Sequence, residues 1–198
     1  LVGTIHKWLG KSNEIHDKVA LFSFSRIKGG TYSERGLIFE KNISFFISAY
    51  LPEMIKTLIK GIQEDPTMFY ELCVKEIIIQ EDPDLSNRDI FFPASPVLIK
   101  RRTDLDIKHI IYNDPNASDY LKETLQTKIE HAGFEDENFN IVFDTQSRKA
   151  TTKLVSYKGI GNRTSWCPII IEGSPIIKRF AWNVGIGNST GIGFGAIE

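Results

Sequence analysis

The chain has 198 residues, of which 41% are hydrophobic and 25% charged, and this is the usual composition of one globular domain or two small ones. Its apolar runs are much shorter than a membrane span, which excludes helical membrane spans. The net charge of −1 hides an asymmetry, because the residues from Thr145 onward hold seven basic and two acidic side chains, against 17 and 23 in the first 144. A basic end indicates either a surface for a polyanion or an ordinary solvated face.

The first half of the chain predicts helices and strands in alternation. Apolar residues at helical spacing predict a helix over residues 1–10, which ends at Gly10. Pro52 predicts the start of a second helix. The other predicted elements are a strand over 20–25, a hairpin over 36–50 and a long strand over 68–80. With the hairpin counted as one element, the order is helix, strand, strand, helix, strand.

A polar break at residues 81–84 predicts a boundary between two domains, 1–82 and 83–198. The second half predicts the order strand, helix, strand, strand, helix, strand, with the first two extended runs counted as one strand and the hairpin as another. Its elements are extended chain over 89–102, an apolar run over 107–112, a helix from 115 to 133, a strand over 140–143, a hairpin from 151–158 and 166–171, and a short helix from 174.

The order βαββαβ is that of the ferredoxin-like unit. One strand ahead of Leu1 would complete the same unit in the first half, and we expect the native protein to contain it. The predicted fold class is therefore α+β, with two tandem ferredoxin-like (RRM-like) domains.

The end of the chain is rich in glycine, with five of the protein's 15 glycines between Gly185 and Gly195. Glycine/serine-rich ends are most often flexible tails. Here apolar residues such as Ile186, Ile192 and Phe194 alternate with the glycines, and an apolar helix leads into them. Because glycine permits positive φ and close backbone approach, we predict a structured loop that faces a ligand, with a final strand at 193–195.

The sequence predicts neither a metal site nor a cofactor. The four histidines form no HxH or HxxxH pair, and no cysteine lies near them. The glycines lack the Lys-Ser/Thr of a P-loop, and they follow a helix where a dinucleotide fingerprint follows a strand. We expect no Ser/His/Asp triad. Cys73 and Cys167 lie in apolar runs, and we interpret them as reduced core residues of a cytoplasmic protein.

Two histidines near the start, His6 and His16, bracket one short turn. Single histidines are more often structural or exposed than catalytic. A pair of imidazoles can however act as base and acid at a phosphodiester, and a cation such as Lys18 can stabilise the developing charge. The pattern therefore leaves open a metal-independent ribonuclease site.

The glycine-rich residues 185–195, GIGNSTGIGFG, resemble the glycine-rich loop of the repeat-associated (RAMP) superfamily. More specifically, they resemble the CRISPR-associated endoribonuclease that cuts precursor CRISPR RNA within its repeats. Ile15-His16-Asp17 with the strand over 21–25 resembles the family's histidine-then-strand motif, and residues 48–52 resemble its third strand and second helix. The resemblance covers the whole chain in order.

The resemblance implies two ferredoxin-like domains and cleavage by the 2′-OH without metal, which leaves a 2′,3′-cyclic phosphate and a 5′-OH. It implies that His16 is catalytic, with His6 on the first helix as its partner. The family often carries a lysine just before the Phe-Ser strand, which here is the strand over 21–25, and this chain has Ala20 nearest that position. Lys18 is the nearest lysine upstream, and Lys153 or Lys158 are alternatives for this charge.

CRISPR repeat RNA is the expected partner, with other CRISPR effector subunits and a homodimer as further expectations and no membrane. The expected RNA-binding residues are Lys153, Lys158, Arg163, Gly185, Gly187, Asn188, Ser189, Gly191 and Gly193. Two other functions remain open. One is a non-catalytic RNA-binding RAMP subunit of a CRISPR effector complex, and the other is a ferredoxin-like domain that binds a small regulatory molecule.

Overall fold

The structure, a computed structural model, describes residues 1–10, 19–34, 36–39, 42–104 and 106–198. These residues form helices α1 (Val2–Leu9), α2 (Pro52–Glu64), α3 (Ala117–Ala132) and α4 (Pro175–Val184). The strands are β1 (Phe22–Phe24), β2 (Thr31–Ser33), β3 (Gly36–Ile38), β4 (Ile47–Ala49), β5 (Ile90–Phe91), β6 (Ile99–Arg102), β7 (Ile107–Ile110), β8 (Asn140–Phe143), β9 (Thr151–Tyr157), β10 (Ile160–Trp166) and β11 (Ile169–Glu172). The α+β class is confirmed. No helix in these ranges is long and apolar enough to cross a membrane.

The helices begin and end at the predicted signals. Pro52 occupies the first turn of α2, and Gly133 ends α3 with φ 82° in the left-handed region. Ser174 precedes α4, and its Oγ accepts a hydrogen bond from the Ile177 amide at 3.2 Å. These signals act within one turn of chain, so the sequence alone was sufficient to find them.

The sheet of the second half joins β5, β11 and β8 in antiparallel register. The last residues of the chain occupy a fourth strand position in this sheet. Pro93 and Ile197 form an antiparallel bridge, and the Ala94 amide donates to the Ala196 carbonyl at 2.8 Å. The order is thus C-terminus, β5, β11, β8, with α3 and α4 as the crossovers, which is the order of a ferredoxin-like unit. The pairing strand lies at 196–198, after the predicted 193–195.

Two buried clusters form the core. The larger one joins the sheet of the second half to the apolar faces of α3 and α4, through side chains such as Phe91, Leu125 and Phe180. The smaller one joins α1, β1 and α2, through Trp8, Phe22 and Leu58 among others. Leu21 and Tyr50, from the first half, pack against the larger cluster. A domain boundary after residue 82 stays a prediction.

Both predicted hairpins pair differently from the expectation. In the first half, β3 pairs with β2 and β4 pairs with β1, so the described residues between 36 and 50 form no hairpin of their own. In the second half, β9 pairs with β10, and β11 joins the central sheet instead. Lys158 and Gly159 have φ of 49° and 79°, which gives the tight two-residue turn of a hairpin and sets its register.

The predicted strand over 68–80 is wrong. Tyr70 and Glu71 have φ of 51° and 63°, which breaks the extended chain, and only an isolated bridge joins Thr67 to Cys73. Ile78 and Ile79 are exposed, because no strand among the described residues pairs with this segment and offers a face on which to bury them. Cys73 is exposed rather than in the core, whereas Cys167 is buried and burial raises the pKa of its thiol to about 12.

Helices α1 and α2 approach each other closely at one glycine. A Cβ added to Gly61 of α2 would lie 2.7 Å from Trp8 Cα on α1. The Trp8 indole N–H donates to the Asp65 carbonyl at 2.7 Å, and Lys7 Nζ lies 2.8 Å from the Asp65 carboxylate. The absence of a side chain at Gly61 therefore allows the two helices to lie in direct backbone contact.

We expect Gly61→Ala to lower the free energy of unfolding by about 1–3 kcal/mol, because the added methyl group has no space against the α1 backbone. Gly3→Ala, a helical glycine with nothing within 4 Å of its Cβ position, is the matched control. It should be neutral or stabilising by up to about 1 kcal/mol. Urea unfolding of both variants measures the difference, and equal stability of the two would contradict the close packing.

Candidate functional site at the glycine-rich segment

The glycine-rich segment, residues 185–195, is folded and mostly buried rather than a flexible tail. It turns back on itself, since the Ile186 amide donates to the Gly195 carbonyl at 2.8 Å. Two further bonds tie it to the chain before β6: the Asn188 amide donates to the Leu98 carbonyl at 2.7 Å and the Gly195 amide to the Pro96 carbonyl at 2.8 Å. A short 3-10 helix over Thr190–Ile192 closes the turn.

Three of the glycines allow this segment to contact the first half of the protein. A Cβ at Gly185 would lie 2.8 Å from Ser23 Cβ, one at Gly191 would lie 3.0 Å from Ala20 Cβ, and one at Gly193 would lie 3.0 Å from a Phe24 ring carbon. Ser23 and Phe24 belong to β1, and Ala20 lies two residues before it. The glycines therefore permit backbone-to-strand packing between parts of the chain that are more than 160 residues apart in sequence.

The expected RNA-binding residues of this segment differ in accessibility. Gly185, Gly187 and Gly191 are buried, and a Cβ at Gly187 would lie 2.5 Å from the Leu98 carbonyl oxygen. Asn188, Ser189 and Gly193 are half-buried. Asn188 is fixed in place, because its Oδ1 accepts a hydrogen bond from the Lys100 amide at 2.9 Å. The side chains of Asn188 and Ser189 are thus the polar groups that this part of the segment presents.

Residues 187–191, GNSTG, also match the Gly-x-Ser-x-Gly spacing of a serine-hydrolase nucleophile, although no such site was expected. In those enzymes the serine lies on a sharp turn from a strand into a helix. Here the segment follows α4 and leads into a 3-10 turn, and Ser189 has φ 64° and ψ 33°. The geometry differs from the nucleophile turn, and we assign Ser189 no nucleophilic role.

A buried lysine holds the segment to α3. Lys128 Nζ donates to the carbonyls of Val184 and Gly185 at 3.2 and 2.8 Å and lies 3.3 Å from Thr190 Oγ1. It thereby binds the carboxyl end of α4, where carbonyl groups lack helical partners and the helix dipole is negative. Burial lowers the pKa of Lys128 to about 7, while these three acceptors favour its charged form.

Lys128 is not among the residues predicted from the sequence, although a signal exists. It follows Leu121 and Leu125 at the spacing i, i+4, i+7, which places it on the apolar stripe of α3. A lysine in such a stripe is buried with partners or extends to solvent, and only the tertiary structure brings the end of α4 within its reach.

A cleft of about 290 Å³ opens beside the segment. The loop side chains of Asn188 and Ser189 form one wall, Glu123 and Thr127 of α3 form another, and Arg101 of β6 also lines it. Val19 and Ala20, which directly follow residues 11–18, complete the lining. Arg101 and Glu123 are not among the site residues predicted from the sequence, because nothing local marks a charged strand or helix residue as part of a cleft.

His6 of α1 lies against the glycine-rich segment. Its Nε2 is 3.1 Å from the Gly191 carbonyl oxygen, and the side chain is half-buried. Because a carbonyl only accepts, this contact requires the proton on Nε2. The other two expected catalytic residues, His16 and Lys18, lie outside the described residues.

The expected basic residues of the C-terminal part are carried by the β9–β10 hairpin. Lys153, Lys158 and Arg163 are all exposed. Lys153 Nζ lies 4.2 Å from the centre of the Trp166 ring. In the hairpin register Lys153 is opposite Thr164 and Arg163 is opposite Leu154, so the two basic side chains lie on opposite faces. Lys153 and Lys158 are not among the residues that line the cleft.

The described residues contain no group of three or more His, Cys, Asp or Glu side chains that could hold a metal ion. The polar groups at the glycine-rich segment are instead an imidazole, a guanidinium, an ammonium and small hydroxyl and amide side chains. Such groups bind anions and transfer protons.

Comparisons with known proteins agree on one family. The model for the C-terminal region of CRISPR associated protein Cas6 matches residues 79–198, which include the hairpin, α4 and the glycine-rich segment. No curated protein matches the chain. Twelve solved chains match its structure.

Three of these solved structures show the same fold. One is of a Cas6-related gene product from Pyrococcus furiosus, with 22% identity and a TM-score of 0.80. A CRISPR associated protein Cas6 has 20% identity and a TM-score of 0.80, and an RAMP protein that binds different RNA substrates has 20% and 0.77. In each case the alignment covers 100% of this chain and 88% of the other.

The lowered pKa of Lys128 predicts a pH-dependent stability. Unfolded lysine titrates near 10.5, so between about pH 7 and 10.5 the unfolded chain binds more protons than the folded one. The free energy of unfolding contributed by this group therefore rises with pH, by at most about 1.4 kcal/mol per pH unit. We expect the stability of the wild type relative to Lys128→Met to increase by roughly 1–2 kcal/mol between pH 7 and 8.5.

Urea unfolding at several pH values measures this change. Lys122→Met is the matched control, because Lys122 is an exposed lysine on the same helix and its loss should leave the pH dependence unaltered. A wild-type advantage over Lys128→Met that stays constant with pH would show that the ammonium remains charged throughout this range.

Proposed function

This chain belongs to the family of CRISPR-associated protein Cas6, and we propose that it binds precursor CRISPR RNA and cleaves it within the repeats. The observation that carries the proposal is the contact of the His6 imidazole with the Gly191 carbonyl, 3.1 Å apart. It brings a proton-transfer group from the first helix to the glycine-rich segment that the family model includes.

The proposed reaction needs no metal. A base removes the proton of the 2′-OH, the 2′-oxygen attacks the adjacent phosphorus, and the bond from phosphorus to the 5′-oxygen breaks. An acid protonates the departing 5′-oxygen, and the products carry a 2′,3′-cyclic phosphate and a 5′-OH. Two imidazoles can divide the base and acid roles near neutral pH, and a cation stabilises the charge on the phosphate.

We assign the base and acid roles to His6 and His16 and charge stabilisation to Lys18, with His16 and Lys18 assigned from the sequence. The Gly191 carbonyl supports the role of His6, because a hydrogen bond to Nε2 fixes the orientation and tautomer of the ring. Ala20, two residues after Lys18, lies against Gly191. The chain just after Lys18 is therefore at the same segment that His6 contacts.

RNA binding is proposed for two surfaces. The exposed hairpin side chains Lys153, Lys158 and Arg163 would hold the phosphate backbone through charge. The half-buried Asn188 and Ser189 would offer hydrogen bonds at the glycine-rich segment. For the buried glycines Gly185, Gly187 and Gly191 the packing against β1 and Leu98 supports a role in shaping this surface.

A non-catalytic RNA-binding RAMP subunit is the second candidate, because the hairpin and the glycine-rich segment would serve binding without turnover. The similarity to an RAMP protein that binds different RNA substrates is compatible with either candidate. Association with other effector subunits or with a second copy of the chain is a further proposal.

We expect His16→Ala and His6→Ala to bind repeat RNA with unchanged affinity but to cleave it at least about 100-fold more slowly, as is usual for loss of a general acid or base. The measurement uses end-labelled RNAs that each carry one CRISPR repeat, with excess protein and EDTA, and maps the product ends. His131→Ala, which removes an exposed histidine of α3, is the matched control and should cleave like the wild type.

If His16→Ala and His6→Ala both cleave at the wild-type rate in EDTA, the assignment of these histidines is refuted. Tight binding by the wild type without any product would favour the non-catalytic subunit. Products with a 3′-OH and a 5′-phosphate would exclude attack by the 2′-OH.

The charge of the hairpin gives a separate prediction. Replacing Lys153, Lys158 and Arg163 by Ala together should weaken RNA binding and lower the salt slope of log K by about 2–3, because each phosphate contact contributes roughly one released counterion. Lys56→Ala with Lys60→Ala on α2, two exposed lysines of the other half, is the control. Filter binding at several salt concentrations measures the slopes, and an equal effect of both sets would refute a specific role for the hairpin.

A further inference from the structure

The proposed reaction develops negative charge on a phosphate, so a cation close to the glycine-rich segment is required. Among the described residues, the cleft beside the segment is lined by two cationic side chains, Arg101 and Lys128. They differ in whether their N–H groups are available to a ligand.

The N–H groups of Lys128 are not available to a ligand. Its ammonium has three N–H groups and three protein acceptors, at 2.8, 3.2 and 3.3 Å, and the residue is 4% exposed. Its contacts fix the end of α4 and the start of the glycine-rich segment. A phosphate could reach Lys128 only by breaking this arrangement.

Arg101 is held in place without being saturated by protein. Its Nη2 donates to Glu123 Oε2 at 2.9 Å and to the Tyr120 carbonyl at 3.3 Å, and its Nη1 donates to the Lys100 carbonyl at 3.1 Å. Its guanidinium carbon lies 4.3 Å from the centre of the Tyr120 ring. Its Nε is buried and has no acceptor within the described part of the chain. The guanidinium has five N–H groups in a rigid fork that matches phosphate, and three of them have protein acceptors. Two N–H groups, one on Nη1 and the one on the buried Nε, have no acceptor among the described residues and remain for a ligand.

The environment of Arg101 favours a strong interaction with an anion. The side chain is only 21% exposed, and a charge that is partly withdrawn from water interacts more strongly than a solvated one. Its partner Glu123 is 65% exposed, so the carboxylate can turn to solvent at little cost when a phosphate takes its place. Ser189 also lines the cleft and can add a hydroxyl donor.

We propose that Arg101 binds a backbone phosphate of the RNA in this cleft and that Glu123 competes with the RNA for its guanidinium. This inference rests on the proposed function, because it assumes an RNA ligand. The competing explanation is that the Arg101–Glu123 pair only fastens β6 to α3 and takes no part in binding.

The two explanations predict opposite effects of one substitution. If Arg101 binds phosphate, Arg101→Gln should weaken RNA binding about tenfold and reduce the salt slope of log K by about 1. Glu123→Gln should tighten binding several-fold, because it removes the competing charge while the guanidinium remains. If the pair is only structural, both substitutions lose the same ion pair and should change RNA affinity in the same direction.

The test measures affinity and salt slope with labelled single-repeat RNA in EDTA, together with urea unfolding of each variant. Arg101→Lys should recover the salt slope but only part of the affinity, because an ammonium keeps the charge and lacks the fork. If Arg101→Gln does not fold, Glu123→Gln decides alone: tighter binding supports the proposal, and equal or weaker binding overturns it.

The outcome also separates this inference from the proposed function. If the wild type cleaves the RNA, and Arg101→Gln binds it with the same affinity and salt slope as the wild type, only the role of Arg101 is overturned. A wild type that binds none of the repeat RNAs would overturn the proposed function and the phosphate site with it.

Discussion

The close approach of the glycine-rich segment to β1 is the constraint on which the rest of this structure depends. A methyl group at Gly185 has no space against Ser23, and at Gly191 or Gly193 it would force Ala20 or Phe24 to shift by a few tenths of an ångström. A side chain at these positions would therefore disturb the contact between the end of the chain and the first half. Because Leu98 leaves no space for a Cβ at Gly187 either, the segment is confined on two sides, and a composition typical of a flexible tail instead gives a fixed turn.

This confinement explains how one loop can serve a site built from distant parts of the sequence. Where α4 meets the segment, the carbonyls of Val184 and Gly185 accept hydrogen bonds from Lys128 of α3. Further along the segment, the Gly191 carbonyl contacts His6 of α1. A shift of the loop would therefore disturb the helix that carries the candidate acid–base group and the helix that lines the cleft. Positioning of this kind is what general acid–base chemistry requires, since reacting groups must be held within hydrogen-bond distance.

The basic side chains of the second half, residues 83–198, divide between two kinds of site. Lys153, Lys158 and Arg163 are exposed on a hairpin and suit contacts with a backbone in water, which salt weakens. Arg101 is held by Glu123 and Tyr120 and is largely withdrawn from water, which suits one oriented contact. The net charge of −1 reveals neither kind of site, because it sums the basic residues from Thr145 onward with the acidic first 144 residues.

The sequence by itself determined what local chain physics controls: the helices with their capping residues, most strand positions, the α+β class, and the family through the glycine-rich segment. The tertiary structure alone decided the strand partners, the exposure of Ile78 and Ile79, and the environments of Lys128 and Arg101. The physical reason is the separation along the chain of the residues that form each feature. Helices and caps form between residues three or four apart, whereas strand pairing, burial and a cleft depend on residues that meet only after the chain has folded.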